Sequence, residues 1–288
     1  MRSFLLIVLF ALATGWPDAA FAESGGDAGR GAYVLRVAGC ATCHTAPKGG
    51  KFLAGGRELK SPFGSFFPPN ITPDRETGIG GWSDDDFVRA LREGKSPESR
   101  PYYPAFPYTS YNRMTRQDIL DLKAYLDTVE PVRNPVPGHN LSFPFNVRAG
   151  MNVWRALFFE PGLVPSDPKQ SEAWNRGAYI VNGPGHCNEC HTPRNVFGAL
   201  QRDRALSGNP KGPDNEPVPN ITGHSKKGIK DWSLEDVVSF LQIGLKPDGD
   251  FAGGAMTDVI EDATGKLTEA DVTAIATYLK SLAANPAE

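Results

Sequence analysis

This sequence contains few cysteines and methionines, and neither sign of charge dominates it. Among 288 residues there are four cysteines and four methionines, and the formal net charge is −3. No basic face or stripe stands out, so nucleic acid is not expected as a partner. All four cysteines fall into two short motifs, which therefore become the main source of functional information.

Long apolar runs are absent after the first 22 residues. An unbroken apolar segment, Phe4 to Ala13, follows Arg2, and Ala20-Phe21-Ala22 has the small-x-small pattern of a signal peptidase site. We expect residues 1–22 to be a signal peptide cleaved after Ala22, with export to the periplasm; an uncleaved N-terminal anchor is the alternative. No later segment approaches the roughly 18 apolar residues of a membrane helix, so the mature chain is predicted to have no membrane span.

The chain repeats itself at a spacing of about 150 residues. Arg30-Gly31-Ala32-Tyr33 returns as Arg176-Gly177-Ala178-Tyr179, and Asn70-Ile71-Thr72 returns as Asn220-Ile221-Thr222. Each copy also carries a Trp-Ser pair at the same distance from its Asn-Ile-Thr segment. The repetition predicts two similar folding units.

Helical patterns dominate both copies. A Thr-x-x-Asp sequence at Thr115 and another at Thr268 resemble a capping box, and apolar residues at helical spacing follow each. Residues 84–93 and 234–243 are predicted to be short amphipathic helices. Strand signals are scarce, and many Pro and Gly residues indicate long loops. Units so rich in loops have little apolar core of their own, and a bound apolar group would supply the missing centre.

The predicted fold is mainly α, with two tandem, loop-rich domains. We assign residues 23–133 to the first domain and 169–288 to the second, with a linker over 134–168. Val147 to Phe159 is expected to form a helix that buries Trp154. The aromatic residues of this linker favour a packed segment over a flexible tether.

All four cysteines lie in two C-x-x-C-H motifs, Cys40-Ala41-Thr42-Cys43-His44 and Cys187-Asn188-Glu189-Cys190-His191. This is the pattern of covalent haem attachment. Two thiols three positions apart on one turn can add to the two vinyl groups of a haem, and the adjacent histidine then reaches the iron. The motifs predict two haem c groups. The predicted thioether residues are Cys40, Cys43, Cys187 and Cys190, and the predicted proximal ligands are His44 and His191.

Three other cysteine chemistries fit the motifs less well. A four-cysteine zinc site usually brings its pairs within about 15–20 residues and needs no histidine after each pair. A thioredoxin-like redox pair belongs in a βαβ unit, and none is predicted. Structural disulfides leave unexplained why C-x-x-C-H occurs twice inside a repeated frame.

The sixth iron ligand is predicted separately for each haem. Met256 follows the Gly253-Gly254 loop and is the expected ligand of the second haem; filling a gap in the core is its alternative role. In the first copy the candidate is Met114, which aligns with Leu267 and could instead be a hydrophobic staple where a helix starts. His139 and an open position are the remaining alternatives.

The sequence resembles the cytochrome c subunits of bacterial alcohol and gluconate dehydrogenases over nearly all of its mature length. The segments that carry the resemblance are Asn70-Ile71-Thr72-Pro73, Gly78 to Ser83, Tyr103 to Tyr108, Gly185 to Arg194 and the closing helix after Met256. The resemblance implies class I cytochrome c-like domains. It also implies electron transfer from a periplasmic or membrane-associated dehydrogenase to a respiratory cytochrome, an oxidase or quinone.

Two departures from that family bear on function. The family commonly has three haem domains, whereas two are expected here, without a C-terminal anchor. The family also has methionine where this sequence has Phe106, which cannot ligate iron. We expect an electron-transfer protein without catalytic residues. The alternatives are a haem enzyme that uses an open first site for peroxide, nitric oxide or a sulfur compound, and a haem-based sensor or assembly subunit.

Overall fold

The computed structural model describes residues 25–226 and 228–283, so the predicted signal peptide lies outside the described residues. Within these ranges the chain is mainly helical. The helices are α1 Ala28–Val37, α2 Cys40–His44, α3 Asp84–Glu93, α4 Tyr108–Tyr111, α5 Arg116–Leu126, α6 Gly150–Phe158, α7 Glu172–Asn182, α8 Asn188–His191, α9 Leu234–Ile243, α10 Ala255–Asp262 and α11 Glu269–Ser281. None of these helices is long and apolar enough to cross a membrane.

A small antiparallel sheet accompanies the helices. Its strands, β1 Leu59–Ser61, β2 Gly64–Phe66 and β3 Asn140–Leu141, lie in the order β1-β2-β3. The sequence did not predict this sheet, because strands of two or three residues are too short to show an alternating pattern. Since β3 lies in the segment 134–168, it attaches that segment to the first half of the chain.

The helix starts read from the sequence are confirmed. Asp118 donates its backbone N–H to the Thr115 side chain at 3.1 Å, and Asp271 donates to the Thr268 side chain at 3.3 Å. The helices predicted over 84–93 and 234–243 have those bounds, and each begins with a serine–aspartate capping box. These local signals work because a helix N-terminus must satisfy its own free N–H groups.

In each half, the first and last helices cross in direct backbone contact. A Cβ added at Gly31 of α1 would lie 1.8 Å from the backbone oxygen of Asp121 in α5. At Gly177 of α7 it would lie 2.0 Å from the backbone oxygen of Ala274 in α11. Only glycine permits these crossings, which explains why the Arg-Gly-Ala-Tyr segment of each copy has glycine at its second position.

Each half has its own apolar cluster, and the two clusters meet at α1. The first cluster includes Leu35, Met114 and Ile119, and the second includes Ile180 and Val272. Val37 of α1, although part of the first half, is buried in the second cluster. The two halves therefore share a packed boundary.

Two tyrosines, one from each half, donate hydrogen bonds across this boundary. The Tyr33 hydroxyl of α1 donates to the carboxylate of Asp271 in α11 at 2.7 Å. The Tyr179 hydroxyl of α7 donates to the carboxylate of Asp118 in α5. Each hydroxyl also accepts the backbone N–H of the threonine that caps the same helix. Because the four residues are equivalent in the two copies, each half caps the closing helix of the other.

The segment between the halves contains the predicted helix and buried tryptophan. The helix α6 starts at Gly150, three residues later than predicted, and Trp154 is buried. Its indole N–H donates to the backbone oxygen of Phe197 at 2.9 Å. This hydrogen bond connects the segment to a loop of the second half.

The crossing glycines predict a large effect of one added methyl group. We expect Gly177→Ala to lower the free energy of unfolding by about 1–3 kcal/mol, because the methyl group would overlap a backbone oxygen. Gly150→Ala is the matched control, since nothing lies within 4 Å of a Cβ there, and it should gain up to about 1 kcal/mol. Urea unfolding measures both. Equal stability of the two variants would contradict the close crossing.

The hydrogen bonds of the Asp271 carboxylate predict that the folded protein is less stable in acid. Burial alone would raise the pKa of Asp271, but hydrogen bonds from Arg176 and Tyr33 outweigh burial and lower it. The carboxylate therefore stabilises the fold above its unfolded pKa of about 3.9, and that contribution is lost as the pH falls through the lower folded pKa. Unfolding followed from about pH 6 to about pH 3 should show a smaller loss in Asp271→Asn than in the parent. Asp231→Asn, at an exposed position, controls for removal of one carboxylate.

Candidate functional site

Each C-x-x-C-H motif forms a short helical turn. The first motif is α2, and in the second motif Cys187 is the N-cap of α8. Residues three positions apart on a helix lie on the same face. The two cysteines of each motif are thus placed side by side, and the histidine follows at the end of the turn.

Burial keeps the cysteines in the thiol form. It raises the pKa of Cys40 and Cys187 to about 12 and that of Cys190 to about 11. Redox-active and nucleophilic cysteines instead have a lowered pKa, because the thiolate is the reactive species. A thioredoxin-like role therefore does not fit these residues.

The disulfide and zinc alternatives also find no support. All four cysteines are unpaired. Across 25–226 and 228–283, no group of three or more His, Cys, Asp or Glu side chains could hold a metal ion. Each pair of thiols instead lies next to a single histidine.

The two motif histidines are held in the same way. Nδ1 of His44 lies 2.7 Å from the backbone oxygen of Pro69, and Nδ1 of His191 lies 2.8 Å from that of Pro219. A carbonyl oxygen can only accept, so Nδ1 carries the proton and Nε2 presents its lone pair. Burial lowers the pKa of both histidines and keeps them neutral at neutral pH. Each imidazole is oriented as a metal ligand requires.

Matching apolar residues surround the two motifs. Cys40 packs against the first cluster and Cys187 against the second. The partly buried neighbours that recur in both clusters are Ile71 with Trp82 in the first and Ile221 with Trp232 in the second. Both sites thus combine two thiols, one oriented imidazole and an apolar wall.

The two candidate methionines lie in different surroundings. Met256 packs against the second cluster and follows the Gly253-Gly254 pair, but it is the second residue of α10, a helix that the sequence analysis did not predict. The Gly253-Gly254 pair ends where α10 begins, and the sequence lacks a side-chain cap that would have announced this helix. Met114 is fully buried in the first cluster, directly before the N-cap of α5.

Sequence reasoning missed a buried charge inside the second motif. Glu189 accepts hydrogen bonds from the hydroxyls of Thr109 and Ser110, both at 2.7 Å, and from Arg194 at 2.6 Å. Its side chain is 8% exposed. Burial alone would raise the pKa of Glu189, but Arg194 and the two hydroxyls outweigh it, so the pKa is lowered. The acidic residue between the two cysteines of the motif was the available signal.

Arg57 connects the first motif to the other half. It donates to the backbone oxygen of Thr42 at 2.8 Å and to the carboxylate of Asp258 at 2.6 Å. Asp258 belongs to α10, the helix that carries Met256. Glu189 reaches α4 of the first half in the same manner, so each motif is attached to the half that does not contain it.

Comparison with known proteins identifies the family. The cytochrome c family model matches residues 28–130. A diheme c-type cytochrome of Cereibacter sphaeroides is 44% identical over 92% of this chain and 88% of its own length. The chain belongs to the cytochrome c family. Two longer relatives align with this cytochrome over most of its length. They are the fructose dehydrogenase cytochrome subunit of Gluconobacter japonicus, 41% identical over 88% of this chain, and the gluconate 2-dehydrogenase cytochrome c subunit of Pantoea cypripedii, 39% identical over 90%.

The relatives differ from this cytochrome in length. The chain spans 52% of the fructose dehydrogenase subunit and 60% of the gluconate 2-dehydrogenase subunit. The resemblance to dehydrogenase cytochrome subunits inferred from the sequence is thereby confirmed at about 40% identity over most of the chain.

The residues of this cytochrome fit haem c, the group that its family implies. The fit rests on the donor sets: two unpaired thiols on one turn, a neutral histidine with its Nε2 lone pair free, and neighbouring apolar side chains. These are the ligand types that covalent haem attachment uses. Both halves of the chain provide the set.

The hydrogen bonds of Glu189 to Thr109 and Ser110 predict that hydroxyls of the first half stabilise the second motif. We expect the double variant Thr109→Val with Ser110→Ala to lower the free energy of unfolding by about 2 kcal/mol, because hydrogen bonds to a buried charge would be lost. Thr128→Val is the control, since that exposed hydroxyl bonds only locally to the oxygen of Tyr125. Chemical denaturation measures the difference. A loss no larger than in the control would show that these hydrogen bonds contribute nothing.

Proposed function

We propose that this chain is a dihaem c-type cytochrome that transfers electrons, one at a time, from a partner dehydrogenase to a respiratory acceptor. The observation that carries the proposal is the recurrence of one donor set in both halves of the chain. Each half has two adjacent unpaired thiols and a histidine whose Nδ1 is bound to a proline oxygen. A single haem would leave one of these sets without a role.

Each residue of the set has a distinct task. Cys40 and Cys43 hold the first haem through thioether bonds, and His44 ligates its iron through Nε2. Cys187, Cys190 and His191 do the same for the second haem. The bond from each Nδ1 to a proline oxygen orients the ring and increases the basicity of Nε2, which favours binding to iron.

Met256 is proposed as the sixth ligand of the second haem. It packs against the same cluster as Cys187, and Arg57 attaches its helix to the first motif through Asp258. A thioether ligand raises the reduction potential of the iron compared with a second histidine. The bound haem supplies the one-electron chemistry, while the surrounding apolar side chains limit access of water.

We assign residues 23–133 and 169–288 to two tandem cytochrome c domains, with a packed linker over 134–168. The separate helix crossings of α1 with α5 and of α7 with α11 support this division. The pairing of β3 with β2 and the bond from Trp154 to Phe197 support a linker that packs on both domains.

The relatives support the proposed electron donor, and the N-terminal sequence supports the proposed location. Relatives of this cytochrome are cytochrome subunits of fructose, alcohol and gluconate dehydrogenases, so we propose a periplasmic or membrane-associated dehydrogenase as electron donor. The acceptor would be a respiratory cytochrome, an oxidase or quinone. The signal-like sequence of residues 1–22 supports a periplasmic location.

Counting covalent haem in motif variants tests the proposal. The full chain is produced in a host that attaches haem c, and intact mass is measured after acid denaturation. We expect the parent to carry two haems, while Cys40→Ala with Cys43→Ala and Cys187→Ala with Cys190→Ala each carry one. Potentiometric titration of the parent should show both haems cycling reversibly without an added substrate.

Cys40→Ser alone and Cys187→Ser alone serve as milder variants, because each leaves one thiol and the histidine in place. They are expected to retain haem through a single thioether. A parent mass equal to that of the polypeptide alone would overturn the proposal, and one haem per chain would overturn its dihaem part.

A further inference from the structure

The segments that follow α3 and α9 share one backbone register. Tyr102 donates its N–H to the oxygen of Gly94 at 2.8 Å, and Ala252 donates to the oxygen of Gly244 at 2.8 Å. Both glycines end their helices in the left-handed conformation, with φ of 60° and 78°. These matching contacts align residues 94–102 with 244–252 without a gap.

Four residues beyond this shared hydrogen bond, the two halves differ. The first half has Phe106 and the second has Met256. Phe106 packs against the cluster that contacts Cys40, as Met256 packs against the cluster that contacts Cys187. A thioether sulfur can ligate iron, whereas a phenyl ring has no lone pair to offer.

Met114 does not replace the missing ligand at this position. It stands directly before the N-cap of α5, where the second half has Leu267 before the N-cap of α11. Met114 is fully buried in one cluster with Ile119, four positions into the helix after the cap. In the equivalent place, Leu267 packs against the cluster that contains Val272. This is the geometry of a hydrophobic staple, which leucine fills as well as methionine.

His139 is held in an unsuitable tautomer. Its Nδ1 accepts the backbone N–H of Phe67 at 3.2 Å, so the ring proton lies on Nε2. The ring also packs edge-on against Phe66 and Tyr103. Neither ring nitrogen therefore has a free lone pair.

From this difference between the halves we propose that the first haem keeps an open axial position that binds a small, uncharged diatomic molecule such as carbon monoxide or nitric oxide, while Met256 closes the second. The proposal rests on the dihaem function proposed above. It divides the tasks within one chain, with a ligand-binding site in the first half and a closed electron-transfer site in the second.

Aromatic packing around Phe106 selects the class of ligand. Its ring lies edge-on to Tyr102 at 5.6 Å and to Tyr111 at 5.7 Å between centroids. Burial raises the pKa of both tyrosines, that of Tyr102 to about 12, so the phenols are uncharged at neutral pH. The Tyr111 hydroxyl already donates to the oxygen of Ala38. An apolar wall of this kind favours a neutral ligand, because an anion would lose its hydration.

Binding of carbon monoxide to the reduced, fully loaded protein tests the proposal. We expect the parent to bind one carbon monoxide per two haems, as counted by spectral titration. Exchanging Phe106 and Met256 should change the number of bound carbon monoxide molecules in opposite directions. Phe106→Met should bind none, and Met256→Phe should bind two. The methionine-to-iron charge-transfer band of the oxidised protein should be lost in Met256→Phe.

Two further variants test Met114 and His139 as ligands of the first haem, independently of the Phe106 and Met256 variants. Met114→Leu introduces the residue that the second half has at the same place, and His139→Gln keeps a side chain that can accept a hydrogen bond. Both should bind one carbon monoxide, as the parent does. A ferric high-spin signal from one haem, unchanged in Met114→Leu, is the expected result in electron paramagnetic resonance.

The outcomes separate this proposal from the dihaem function. A parent that carries two haems but binds no carbon monoxide would overturn the open site and leave the dihaem function intact. If Met114→Leu then gained one binding site, Met114 would be the first-haem ligand. A parent that binds two molecules would overturn the proposed difference between the halves. Failure of the dihaem function itself would be seen earlier, as fewer than two haems per chain in the mass measurement.

Discussion

The fold depends on the direct contact between the first and last helices of each half. The oxygen of Asp121 occupies the space beside Gly31, and that of Ala274 occupies the space beside Gly177. Because each C-x-x-C-H motif follows closely after the first helix of its half, these crossings position both sets of thiols and histidines. Any side chain at the two glycines would separate the helices and displace the motifs with them.

The two halves are joined by polar contacts as well as by apolar packing. Tyr33 and Tyr179 each cap the closing helix of the other half, and Arg57 and Glu189 each connect a motif to the opposite half. Buried charges are costly unless they are paired and hydrogen-bonded, and the buried carboxylates Glu189 and Asp271 are both. The relative position of the two sites is therefore set by specific contacts and does not depend on a flexible tether.

The two copies share one backbone arrangement, but individual positions carry residues of different chemistry. Both histidines keep their bond to a proline oxygen, yet the third residue of the motif is Thr42 in one half and Glu189 in the other. Four residues after the matching backbone hydrogen bonds of Tyr102 and Ala252, one half has Phe106 and the other has Met256. Two copies of one fold can thus provide sites with different properties, since function depends on the residues of the site and not on the fold alone.

Features that depend on neighbouring residues could be predicted from the amino-acid sequence. The attachment motifs, the threonine caps at Thr115 and Thr268 and the helices over 84–93 and 234–243 could be read directly, because a turn and a cap involve residues within about four positions. The small sheet and α10 were missed, since short strands and an uncapped helix leave little local pattern. The contacts between the two halves, such as that between Tyr33 and Asp271, could be found only in the folded structure. The partners of these contacts are far apart along the chain, so the spacing of residues in the sequence does not indicate that packing brings them together.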